Sequence, residues 1–140
     1  KQDDSILITC GYSWGDEHIN SRIISALRTN TTSHVIGLIF DQYDLLKPEN
    51  NVSKIGAENS KISIYGTKSA IIGCKFGDWK LKSKPSLDDL NLYFEEDEQD
   101  EEEWTGNGKF ILSDFGKLSI FLNSMISDNE IKKAGEHGKK

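Results

Sequence analysis

Cysteine, proline and methionine are scarce, with two, two and one in 140 residues. Cys10 and Cys74 each sit beside apolar residues and glycine, and neither belongs to a Cys-x-x-Cys pair. This argues against a disulfide framework or a structural zinc site. Both read as small buried thiols of a reduced, cytoplasmic protein, and no metal site is expected. No apolar run approaches the length of a membrane span and no signal peptide opens the chain, so no membrane partner is expected. Met125 is the single methionine and Lys1 comes first, so the chain is expected to be a fragment, a processed product or the ordered part of something longer. Two familiar phosphate-binding fingerprints are missing: there is no Gly-x-Gly-x-x-Gly and no Gly-x-x-x-x-Gly-Lys-Ser/Thr.

Basic residues are also in the minority. Lys and Arg number 17 against 23 Asp and Glu, a net charge of −6. The excess is local, because the run from Glu95 to Glu103 holds eight acidic residues; setting those eight aside turns −6 into +2. Charge therefore argues neither for nor against nucleic-acid binding, and no direct nucleic-acid binding is evident. The run itself reads as a solvated loop or linker over residues 95–104, the sharper alternative being a docking tail for a basic partner.

What is present is a pattern of short apolar runs separated by helical periodicity. Ile6 to Cys10 is a nearly continuous apolar run ending at Gly11, as in a parallel strand covered on both faces. Asp16 is placed to cap a helix whose apolar face is Ile19, Ile23, Ala26 and Leu27, widened by Ile24. Val35 to Phe40 is a second buried-strand run, and strand, helix, strand within about 35 residues is a βαβ unit with parallel strands. Asp41 to Ser60 reads as a polar loop with a helical turn around 44–50. Lys61 to Tyr65 reads as a third strand, followed by a turn at Gly66-Thr67-Lys68 and a short apolar segment at 70–73. Lys75 to Pro85 reads as a basic loop anchored by Trp79. Leu87, Leu90, Leu92, Tyr93 and Phe94 lead into the acidic run. Beyond it, residues 105–128 read as a turn at Asn107-Gly108, a short strand from Lys109 to Leu112, and a helix capped by Ser113. That helix is expected to turn Phe115, Leu118, Phe121 or Leu122, and Met125 inward and to end near Asp128. Residues 129–140 read as a disordered basic tail.

The stretch that carries chemistry is strand, then Gly11-Tyr12-Ser13-Trp14-Gly15-Asp16, then helix. Where a parallel strand hands over to its helix, backbone N–H groups point at the crevice above the strand ends. Gly11 and Gly15 permit close approach, Ser13 offers a hydroxyl to a ribose or phosphate oxygen, and Asp41 ends the next strand, where an acidic side chain commonly accepts from ribose hydroxyls. Spacing leaves a plain βα turn open as well, since Gly11 and Gly15 are four apart and Asp41 lies 30 residues after Gly11, against roughly 20 in the usual fingerprint.

Leu7 to Asn20 resembles the late Gly-Tyr-Ser-Phe-x-Asp-x-His-Ile-Asn signature of bacterial sirtuin-like domains, with Trp14 where that family often has Phe. Ile64 to Gly73 and Asp114 to Leu118 resemble how such domains finish. The resemblance covers roughly Ser5 to Gly73 and the last helix. It implies the C-terminal part of a Rossmann-like parallel sheet, here residues 1–94, closed by the C-terminal helix. It implies NAD as substrate, held by the signature loop; the expected contacts are Gly11, Tyr12, Ser13, Asp16 and Asn20, with Asp41 added from its place at the strand end. It also implies a role in anti-phage defence by NAD depletion, as a homo-oligomer or beside a second protein of ATPase or Argonaute type. In that family the catalytic Asn or Asp and His lie upstream of the signature, so this chain alone is expected to hold no catalytic residue and to be inactive. His18 reads as loop scaffold, His34 and His137 as without partners, and Asp88, Asp89 and Glu130 as surface residues. Asp16 and Asn20 also have structural readings, as a helix cap and as a strut back to the loop. The rival functions are a non-catalytic nucleotide-sensing or oligomer-forming module, and an NAD-dependent deacylase.

Overall fold

The computed structural model describes residues 4–40, 47–86, 92–97 and 103–137, and the backbone alone from 127 onward. The apolar runs become strands β1 (Ser5–Cys10), β2 (Ser33–Leu38) and β3 (Ile62–Tyr65), which pair in parallel. Helices α1 (Glu17–Thr29) and α2 (Asn51–Glu58) make the two crossovers. Strands β4 (Ser69–Ile72) and β5 (Lys75–Asp78) extend the same sheet antiparallel, in the order β1-β2-β3-β4-β5. The fold is therefore α/β with a mixed sheet, and the all-parallel expectation holds only for its first three strands. The cause is connection length. A parallel return needs a dozen or more residues, whereas Gly66 to Lys68 and Gly73-Cys74 are tight turns. Gly73 and Cys74 both have positive φ, 58° and 65°, the backbone that a two-residue type I′ hairpin demands.

Each face of the sheet carries its own core. On one face Trp14, Leu27, Val35, Ile39, Val52, Ile55, Ile62, Ile64 and Ile71 pack beneath α1 and α2. On the other, Leu38, Phe110 and Leu112 pack with Ile36, Tyr65, Trp79, Leu118 and Phe121. The second layer comes from the antiparallel pair β6 (Phe94–Glu96) and β7 (Gly108–Phe110) and from α3 (Phe115–His137). The period-2 alternation of β2 divides its side chains between the two cores: Val35 goes to one and Ile36 and Leu38 to the other.

Several expectations change. β1 is an edge strand, so Ile6, Leu7 and Ile8 are 66%, 51% and 54% exposed rather than covered on both faces. The buried stripe of α1 runs through Asn20, Ile23, Ile24 and Leu27, leaving Ile19 and Ala26 exposed, because Asn20 is drawn inward by hydrogen bonds. α2 replaces the polar loop expected before Ser60; only Val52, Ser53, Ile55 and Gly56 are buried, too short a stripe to stand out in sequence. β5 replaces part of the basic loop, and Glu95 and Glu96 sit in a strand rather than a linker. Asp114, not Ser113, caps α3, accepting from the Lys117 N–H. α3 continues past Asp128 to His137, and its Phe115, Leu122 and Met125 are exposed. His34 does have a partner, its Nε2 lying 2.9 Å from Ser63 Oγ. Asp41, residues 44–46 of the turn expected at 44–50, Leu87, Asp88, Asp89, Leu90 and the last three tail residues lie outside the described residues, as do the side chains of Glu130 and His137.

Candidate functional site at the β1–α1 loop

β1 ends where Gly11 turns at φ 78° while its N–H still reaches Leu38 O at 3.3 Å. Three residues later Trp14 adopts φ 60° and is completely buried. A non-glycine residue at positive φ costs on the order of 1 kcal/mol, so the burial of a whole indole offsets that strain. The ring fits only because β2 offers Gly37 beneath it: a Cβ there would stand 2.8 Å from Trp14 Nε1.

Hydrogen bonds then fix the loop. Tyr12 Oη–H donates to Asn20 Oδ1 at 2.6 Å and approaches Asp16 O at 3.2 Å. Asn20 Nδ2 donates to Trp14 O at 2.9 Å, and Asn51 Nδ2 from α2 donates to the same carbonyl at 2.6 Å. Asp16 Oδ1 accepts from the His18 and Ile19 N–H groups at 2.9 and 3.1 Å, capping α1. Tyr12 leans on Trp14 with ring centroids 5.2 Å apart. Burial and the neighbouring Asp16 charge raise the Tyr12 phenol above its ordinary pKa, so it remains a hydrogen-bond donor.

The expected site residues thus divide. Tyr12, Asp16 and Asn20 are brought together and bond to one another and to the backbone, Asp16 through Oδ1 and its carbonyl. Asn20 is 5% exposed and faces inward. Ser13 is exposed between Gly11 and Gly15, and its hydroxyl has no hydrogen-bond partner among the described residues. Because Asp16 already occupies two N–H groups at the start of α1, a ligand phosphate there would meet a carboxylate. The open group is a hydroxyl, suited to another hydroxyl such as a ribose edge. His18 is exposed, and only its backbone is engaged.

Sequence reasoning missed Asn51 and Gly37, because both act on the loop from other elements. It also missed a cavity of about 220 Å³ beyond the carboxyl ends of β2 and β3, lined by Phe40, Thr67, Lys109, Ser113 and Lys117 among others. Next to it Cys10 Sγ donates to Ser113 O at 3.6 Å. Burial pushes the Cys10 thiol above its ordinary pKa, and the Asp114 charge adds to the rise. Ser113 Oγ is buried without a partner among the described residues.

Compared with known proteins, the chain matches no family model and no curated protein. Among the described residues no three His, Cys, Asp or Glu side chains gather as metal ligands would, and no helix is long and apolar enough to cross a membrane.

Proposed function

We propose that this chain is the nucleotide-holding portion of a sirtuin-like NAD hydrolase that releases nicotinamide and ADP-ribose, with the catalytic Asn and His supplied from outside it. The supporting observation is the Gly11–Asn20 loop. It stands beyond the carboxyl ends of parallel β1 and β2, held from below by Asn20 and Asn51, and between its two glycines it leaves the Ser13 hydroxyl open. Ligands of open α/β sheets bind at that edge. In this reading Ser13 meets a ribose hydroxyl, while Tyr12, Asp16 and Asn20 position the loop. His18 takes no part in proton transfer. The biological setting that goes with this reading is cytoplasmic defence against phage by NAD depletion.

The test is Ser13→Ala. NAD affinity, measured by calorimetric titration of the chain, should weaken by roughly tenfold, the loss of about one hydrogen bond. Nicotinamide release by the longer protein, with no acyl acceptor present, should fall with it; a requirement for an acyl acceptor would indicate a deacylase instead. Unchanged turnover in Ser13→Ala would place the site elsewhere.

A second reading, a non-catalytic assembly module, draws on β1. Its three apolar side chains Ile6, Leu7 and Ile8 are each more than half exposed at a sheet edge, a surface that edge strands normally protect. NAD binding without nicotinamide release, together with concentration-dependent sedimentation, would favour it.

A further inference from the structure

On the face of the sheet opposite the Gly11–Asn20 loop lies a cleft of about 770 Å³, within the usual 300–1,000 Å³ of small-molecule sites. We infer that it binds a purine nucleoside monophosphate, stacked on an aromatic floor, with its phosphate between Lys80 and Lys82. The inference is independent of the NAD reading. The loop's Trp14 belongs to the core beneath α1 and α2, whereas the cleft is built on the other core.

The floor is assembled in advance. Trp79 stacks on Phe110 with centroids 5.2 Å apart and planes at 26°, and Tyr65 meets both rings edge-on at 5.2 and 5.6 Å. Trp79 is pinned by two further bonds, Nε1–H to Gly66 O at 2.7 Å and N–H to Lys68 O at 2.8 Å. Tyr93, 48% exposed, also lines the cleft. Rings already fixed by one another lose little freedom when a ligand arrives, and a base stacked on such a surface typically gains roughly tenfold in affinity.

The rim sets the charge. Lys80 and Lys82 line the cleft and are exposed, and no carboxylate lines it among the described residues. The described ion pairs, Lys68 with Asp97 and Lys117 with Glu95, use other lysines. In a chain where acids outnumber bases by 23 to 17, two uncommitted ammonium groups above an aromatic floor select an aromatic anion. Two such charges match one phosphate monoester, about −1.5 to −2 at pH 7. Lys80 is also anchored, since its backbone bridges Asn107 and the adjacent Leu81 N–H reaches Gly106 O at 2.8 Å.

The experiment is titration of the ¹⁵N-labelled chain with adenosine monophosphate, read at the indole N–H signals of its three tryptophans. The Trp79 signal should move with a saturable curve while that of Trp14 stays in place. Adenosine and inorganic phosphate should each bind at least tenfold more weakly than the nucleotide. The double variant Lys80→Glu, Lys82→Glu changes only exposed side chains, and it should lose at least tenfold in affinity with an unchanged circular dichroism spectrum. The inference is overturned if millimolar nucleotide leaves Trp79 unmoved, if Trp14 moves instead, or if the double charge reversal binds equally well.

Discussion

Trp14 and Gly37 are matched across the β1–α1 loop and β2: a methyl group on Gly37 would stand 2.8 Å from Trp14 Nε1 and 3.1 Å from two of its ring carbons. Gly37→Ala should therefore destabilise the chain by about 1–3 kcal/mol, the usual cost of overpacking a filled core. Trp14 Nε1 is buried without a hydrogen-bond partner among the described residues, so Trp14→Phe removes an unsatisfied donor as well as ring volume. In the Trp14→Phe background, Gly37→Ala should cost less than it does alone, a coupling readable by urea denaturation as a double-mutant cycle. Additive costs would show that the two positions do not touch.

Asn20 and Asn51 share one acceptor, the Trp14 carbonyl, at 2.9 and 2.6 Å. Asn20→Leu should cost about 1–3 kcal/mol, because Asn20 is buried and also receives the Tyr12 hydroxyl. Asn51→Ala alone should cost less, since Asn20 still serves the carbonyl. Together they should cost more than their sum, because only the pair leaves that carbonyl without a side-chain donor. Thermal unfolding of the three variants decides this; strict additivity would mean that the carbonyl has another partner.

Asp16→Ala should lower stability by about 0.5–2 kcal/mol through loss of the α1 cap. Asp16→Asn, which keeps an oxygen acceptor, should recover most of it in the same unfolding assay. If Asn recovers nothing, the carboxylate charge and not the hydrogen bonds holds the helix start.

Cys10 gives a prediction in pH. Its thiol pKa is raised above the ordinary value, first by burial and then by the Asp114 carboxylate. Iodoacetamide consumes the thiolate, so Cys10 should alkylate more slowly at pH 8 than an unstructured peptide thiol. The same shift fixes the sign of linkage. The folded state holds its proton more tightly, so this contribution is intact below the ordinary thiol pKa and is lost as pH climbs through the raised one. Asp114→Asn should speed Cys10 alkylation; a slower or equal rate would remove Asp114 as a cause.

Sequence periodicity located β1, α1, β2 and β3 because each has a run long enough to show its pattern. It missed α2, whose eight residues bury only a two-residue apolar stripe, Val52 and Ile55. It missed β5, whose residues are all exposed and so carry no alternation. It placed the α3 cap one residue early because Ser113 and Asp114 are both good caps, and only the backbone decides which carboxylate or hydroxyl reaches the Lys117 N–H. At the loop, the residue types Gly11, Ser13 and Asp16 were legible. The turning of Tyr12 and Asn20 toward each other was not, because it depends on Trp14 entering the core over Gly37, a contact made 23 residues along the chain.

The open position of β1 has a consequence for solvent access to its backbone. Amide N–H groups alternate in direction along a strand. Gly11 N–H turns toward β2, to Leu38 O, so Leu7 and Thr9 turn theirs the same way while Ile6, Ile8 and Cys10 turn theirs outward. Deuterium uptake along this strand should therefore rise and fall residue by residue, fast at Ile8 and Cys10 and slow at Leu7 and Thr9. A partner strand laid along that edge would slow the fast set alone, so exchange at two amides is enough to report whether β1 has acquired a neighbour.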